Sequence, residues 1–160
     1  MRNYGKTWPI ALSILVALML TILPLPDWAR TFRPSWAALV IVFWSLNFSK
    51  RVSIGTAWTT GLILDALKGA ILGQHALALT VLSFITIKFH LRIRVFPLAH
   101  QSITIFALIA IYEFMLMWVD GIVGEAEIGL ARWGPVISSA LLWPLITIGL
   151  DRVQRRLRVG

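Results

Sequence analysis

Gly61-Leu62-Ile63-Leu64-Asp65-Ala66-Leu67-Lys68-Gly69-Ala70-Ile71-Leu72-Gly73-Gln74-His75-Ala76-Leu77 is the stretch on which the fold turns. It closes one apolar run, about Ser53 to Leu72, and opens another, about His75 to Ile87. Runs of this length exceed a barrel strand and lack the strict alternation that lumen-facing and lipid-facing positions would impose, so helices are the consistent reading. With only the Gly73-Gln74 neighbourhood between them, the two helices form a tight antiparallel hairpin.

Working outward, the same pattern repeats. Apolar runs cover residues 7–25, 34–48, 53–72, 75–87, 102–119 and 134–150. Of the 160 residues 58% are hydrophobic and 14% charged, with a mean hydropathy of +0.81, far from an ordinary soluble domain. Six spans of roughly 20 residues would use about 120 residues, leaving only short connections. The expectation is therefore a single integral membrane domain over 1–160, all-α, with about six transmembrane helices. The first run follows Arg2 and Lys6 as a signal peptide would, but Asp27 two residues before Ala29 spoils a small-x-small cleavage site, so it reads as a retained span. Pro34 suits a helix start, and Pro144 inside the last run marks a kink.

The charges test the span count. Arg2, Lys6, Lys50, Arg51, Lys88, Arg92, Arg94, Arg152, Arg155, Arg156 and Arg158, eleven of the 15 basic residues, fall on one side of a six-span chain. Arg30, Arg33, Arg132 and Lys68 share the other side with Asp27, Asp120, Glu125 and Glu127. A net charge of +8 distributed in this way reports orientation rather than nucleic-acid binding, and places both termini in the cytoplasm of a bacterial inner membrane. Trp8 and Trp58 sit near cytoplasmic ends, and Trp28, Trp36, Trp118 and Trp133 near the opposite interface, whereas Trp44 and Trp143 lie deeper as packing residues.

Few residues can carry chemistry. The absence of cysteine removes disulfides, thiolate catalysis and cysteine-based metal sites. His75, His90 and His100 are divided between the two sides, so no shared metal site is expected. No phosphate loop, nucleophile elbow or zincin motif occurs, so the chain is expected to be no enzyme and to need no cofactor. Asp65 lies some 12 residues into its span, about 18 Å deep, where a carboxylate costs roughly 3 kcal/mol. Lys68 at i+3 is its expected partner, snorkelling outward. The pair reads either as a structural ion pair seating the hairpin or as part of a proton or ion relay, for which Glu113 at mid-span is the other candidate. Gly69 and Gly73 form a GxxxG at the end of a span, suited to turning the chain. His90-Leu91-Arg92-Ile93-Arg94-Val95 alternates, as an extended or interfacial segment would with its basic edge toward lipid headgroups. Arg152, Arg155 and Arg156 have helical spacing suited to anionic lipid at the cytoplasmic face.

The order and spacing of several segments also carry a resemblance. The 61–77 stretch, Leu23-Pro24-Leu25-Pro26, Arg33-Pro34-Ser35-Trp36 and His90-Leu91-Arg92-Ile93-Arg94-Val95-Phe96-Pro97 together resemble the rod shape-determining MreD family of Gram-negative bacteria, across essentially the whole chain. The resemblance implies a fold similar to the substrate-binding component of energy-coupling-factor transporters. It also implies a non-catalytic role in the cell-elongation machinery, beside the membrane protein MreC, the MreB filament, and the pair of a SEDS glycosyltransferase and a penicillin-binding transpeptidase. On physical grounds the partner-binding or structural polar candidates are Asp65, Lys68, Gly69, Gly73, His75 and Glu113. Two other readings stand beside it: a small-molecule-capturing transport subunit, and a membrane scaffold unrelated to wall growth.

Overall fold

The computed structural model describes residues 8–23, 26, 33–47, 54–69, 72–124, 129 and 133–159, with side chains undescribed at 8, 9, 47 and 153–159. Expectations for Arg2, Lys6, Trp28, Arg30, Lys50, Arg51, Glu125, Glu127 and Arg132, and for the side chains of Trp8 and the 155–158 tail, lie outside that description, as does most of the exit from the first run.

The described residues are helical throughout their regular structure: α1 (Trp8–Ile22), α2 (Trp36–Asn47), α3 (Ile54–Lys68), α4 (Gln74–Lys88), α5 (His90–Val95), α6 (Leu98–Val123) and α7 (Gly134–Val159). Six of the seven match the six apolar runs. The fifth and sixth runs become helices of 26 residues each, about 39 Å long at 1.5 Å per residue. Pro144 lies within α7, and that helix continues through the tail segment to Val159.

Helix α2 is the axis of the bundle. Its residues from Ala37 to Leu46 are almost all fully buried, because the helix is apolar all round and is wrapped by α1, α4, α5 and α7. This resolves its shortness. A 12-residue helix, about 18 Å long, is too short to match a hydrocarbon layer, but one that touches protein on every side has no lipid thickness to match. Trp44 and Trp143 are fully buried beside Phe43, and each indole N–H finds an acceptor: Trp44 Nε1 donates to Ser13 Oγ at 2.7 Å and Trp143 Nε1 to Gln101 Oε1 at 3.2 Å.

Among the described residues, α6 and the Gly134–Arg152 part of α7 are long and apolar enough to cross a membrane, and 28% of each apolar window is buried inside the fold. A core helix of a soluble protein would be mostly covered. Here Ile103, Phe106, Phe114, Trp118 and Ile122 of α6 and Leu141 and Leu145 of α7 stand exposed on the flank, as lipid-facing residues do.

The alternating segment after α4 is a helix, not an extended strand. Phe89 and Pro97 bound it, with Phe89 N–H donating to Ile85 O at 3.1 Å and Ile93 N–H to Phe89 O at 3.0 Å, and Ile93 is its single buried side chain. Alternation over six residues misled because the helix makes fewer than two turns, too short for a 3.6-residue period to appear.

Candidate functional site

The tightest pairing in the bundle is that of α3 with α4. Gly61 permits it: a Cβ there would lie 2.3 Å from Ala76 Cα and 2.5 Å from Ala76 N. The close backbone approach falls at Gly61, one helical turn before Asp65, and not in the Gly69 and Gly73 pair. Those two serve the turn, holding φ of +66° and +102°, which cost glycine nothing.

This approach carries Asp65 into the start of α4. Its side chain is 0% exposed. The N–H groups of Gly73 and Ala76 donate to Oδ2 at 2.8 and 3.4 Å, the N–H of His75 donates to Oδ1 at 2.8 Å, and His75 Nδ1 lies 2.6 Å from Oδ1. A helix begins with N–H groups that have no partner within the helix and with the positive end of its dipole. Asp65 is thus a cap supplied by the neighbouring helix, since Gly73 at the cap position offers no side chain.

The expected Asp65–Lys68 ion pair is therefore corrected. Asp65 pairs with His75 and the α4 backbone, and among the described residues Lys68 forms no ion pair. Lys68 sits at the last residue of α3, exposed, beyond the reach of a carboxyl group drawn inward. His75, at the expected start of its apolar run, is buried in the first turn of α4, its ring 6.4 Å from that of Tyr112.

These residues border a cavity of about 440 Å³ at the end of the bundle where α1 and α3 finish and α2, α4 and α7 begin. Arg33, Lys68, His75, Glu113 and Asp120 line it with Trp36 and Tyr112. The sequence reading did not connect most of these positions. Ser35 ties two helices together: its N–H donates to Ser139 Oγ at 3.0 Å, and its hydroxyl donates to Glu113 Oε1 at 3.2 Å. Gln74 Nε2 donates to Asp120 Oδ1 at 2.7 Å and to Leu116 O at 3.2 Å. Arg33 donates to the carbonyls of Thr21 and Leu23, capping the end of α1 with a cation where its dipole is negative. Glu113, the mid-span carboxylate, lines the cavity. The titratable groups gather at one end and are not strung across the bundle, which favours a binding or anchoring role over a relay.

Lys68→Gln is expected to leave thermal stability within about 0.5 kcal/mol, the range for an exposed substitution away from a network. A melting-temperature drop as large as that of an Asp65 substitution would restore Lys68 as its partner.

Comparison with known proteins agrees across the chain. The sequence model of one family, described as rod shape-determining protein MreD, matches residues 2–153. A rod shape-determining protein MreD from Haemophilus influenzae is 29% identical over 156 residues, covering 95% of this chain and 94% of the relative. No solved structure matches.

Proposed function

Because the chain belongs to the rod shape-determining MreD family, whose members serve bacterial rod shape, we propose that it acts as a non-catalytic inner-membrane component of the cell-elongation complex and docks MreC. In this reading the bundle crosses the bilayer six times with both ends in the cytoplasm, which the distribution of its arginines and lysines supports. The single span of MreC lies against the apolar flank, and the docked pair bears on the MreB filament and on the SEDS glycosyltransferase and its transpeptidase, so regulating peptidoglycan synthesis and cell shape.

The observation that carries docking in place of catalysis is the composition of the cavity. Several of its polar side chains are engaged with backbone or with one another, as Arg33 is with α1, Ser35 with Glu113 and Gln74 with Asp120. Such a site offers shape and charge of both signs, with its Ser35 hydroxyl and Glu113 carboxylate spent on a contact that ties helices together. With little soluble surface, the chain has its flank and this cavity mouth as binding surfaces.

Single cysteines are unambiguous in a chain that has none. Placed in turn at Phe114, Trp118 and Leu141 on the flank, they are expected to crosslink to cysteines in the MreC span from one face. No crosslink from any face would defeat the docking geometry. Depletion should convert rods to spheres, and rods that persist would remove the role in wall growth.

A second reading has one observation in its favour. The cavity volume falls within the range of small-molecule sites, about 300–1,000 Å³. A capture subunit would retain a specific small ligand through purification, visible by native mass spectrometry.

A further inference from the structure

Helix α5 presents an arrangement that neither the cavity nor the flank explains. Around a helix of 3.6 residues per turn, Ile93 points inward, 4% exposed, while Leu91 and Val95 two positions to either side project from the opposite face, 67% and 83% exposed. Arg92 and Arg94, one position to either side, flank this apolar ridge left and right. The helix is held firmly in this orientation. Gln101 Nε2 of α6 donates to the carbonyls of Ile93 and Phe96 at 3.1 and 3.2 Å, and the same side chain's Oε1 accepts from Trp143 of α7.

Helix α5 has no acidic neighbour along the sequence. Between Ala66 and Tyr112 there is no acidic residue, and among the described residues Lys88, Arg92 and Arg94 form no ion pair. Lys88 stands 5.8 Å over the Phe89 ring, a cation held beside an exposed aromatic. The apolar ridge does not end with α5. Phe96 and Leu98 are exposed, and they lead into Ile103 and Phe106 on the lipid-facing flank of α6.

We propose that α5 is a membrane-interface clamp that binds anionic phospholipid headgroups, with Leu91 and Val95 dipping among the acyl chains and Arg92, Arg94 and Lys88 holding the phosphodiester. An anionic protein surface would meet the arginines as well, but would also have to cover the exposed Leu91, Val95, Phe96 and Leu98, which lead along the chain toward the apolar flank of α6. Lipid satisfies both the charge and the apolar face. The arginine fork presents its donors to phosphate oxygens, and each basic residue near an anionic headgroup plane contributes about 1 kcal/mol, or roughly fivefold in lipid affinity. The proposal narrows the cytoplasmic-face lipid contact to this element and away from the arginines of the tail. The headgroup preference stands without the docking of MreC. Placing the clamp in the inner leaflet rests on the orientation given under Proposed function.

Native mass spectrometry of the purified full chain, released from bilayers of equal phosphatidylcholine and phosphatidylglycerol, reads the preference directly. Retained lipid is expected to be enriched at least about fivefold in phosphatidylglycerol. Arg92→Gln with Arg94→Gln should bring the two headgroups to near parity, and Leu91→Ser with Val95→Ser should reduce retention of both. Equal retention by the unaltered chain would overturn the proposal. So would an enrichment that survives loss of both arginines, which would assign the charge contact to the tail or to an adventitious surface. The bilayers are symmetrical, so this result is independent of orientation, which a reporter fused after Gly160 reads separately.

Discussion

Asp65→Ala is expected to destabilise the protein by about 3–5 kcal/mol, the range for breaking a buried, hydrogen-bonded ionisable pair. The substitution strips acceptors from the N–H groups of Gly73, His75 and Ala76 and from the His75 ring together. Each buried donor left without a partner costs about 1–3 kcal/mol, although water entering from the adjoining cavity relieves part of this. At roughly 2–4 °C per kcal/mol for a chain of this size, the melting temperature in detergent should fall by about 10 °C. Asp65→Asn keeps one oxygen but turns an amide toward an N–H, so it should fall between the two. His75→Phe removes one of the four contacts and leaves the backbone cap intact, and should cost less than Asp65→Ala. A melting temperature for Asp65→Ala within 2 °C of the unaltered chain would show that α4 needs no cap from α3.

Gly61→Ala should be comparably damaging although it adds one methyl group. The methyl would overlap Ala76 Cα, Ala76 N and the His75 carbonyl carbon, all backbone atoms that no rotamer change can move aside. The helices must separate, at an overpacking cost of about 1–3 kcal/mol or more. Because Gly61 and Asp65 are four residues apart on the same face of α3, separation at one withdraws the carboxyl group at the other. The two substitutions should therefore fail to add, with the double variant less destabilised than the sum by about 0.5–3 kcal/mol. Gly69→Ala is the contrasting case. A Cβ there meets nothing within 4 Å, so its cost is the left-handed backbone alone, about 1 kcal/mol. Equal melting temperatures for the Gly61 and Gly69 variants would contradict the close approach of α3 to α4.

The role of the site in the cell follows from the same geometry. If docking depends on the cavity, Asp65→Ala and Gly61→Ala should cost rod shape in step with stability, because both loosen one wall. Lys68→Gln, which leaves that wall in place, separates a binding role of the rim charge from a folding role.

The amino-acid order by itself determined the helical class, the positions of six apolar helices and the hairpin at residues 61–77, because apolar runs too long for barrel strands and a turn of Gly73-Gln74 leave few alternatives. It also marked Asp65 and Glu113 as costly residues needing partners. Which partners they take was decided only by tertiary structure. The i+3 rule offered Lys68 to Asp65 because it sees one helix at a time, whereas the packing of Gly61 on Ala76 brings the uncapped start of α4 nearer than the lysine. In the same way Arg33, Ser35, Gln74, Tyr112 and Asp120 are ordinary residues scattered over separate segments until the bundle places them around one cavity. A cap shared between helices and a cavity shared among six depend on interhelical distance and register, and neither is encoded in the period of any single segment.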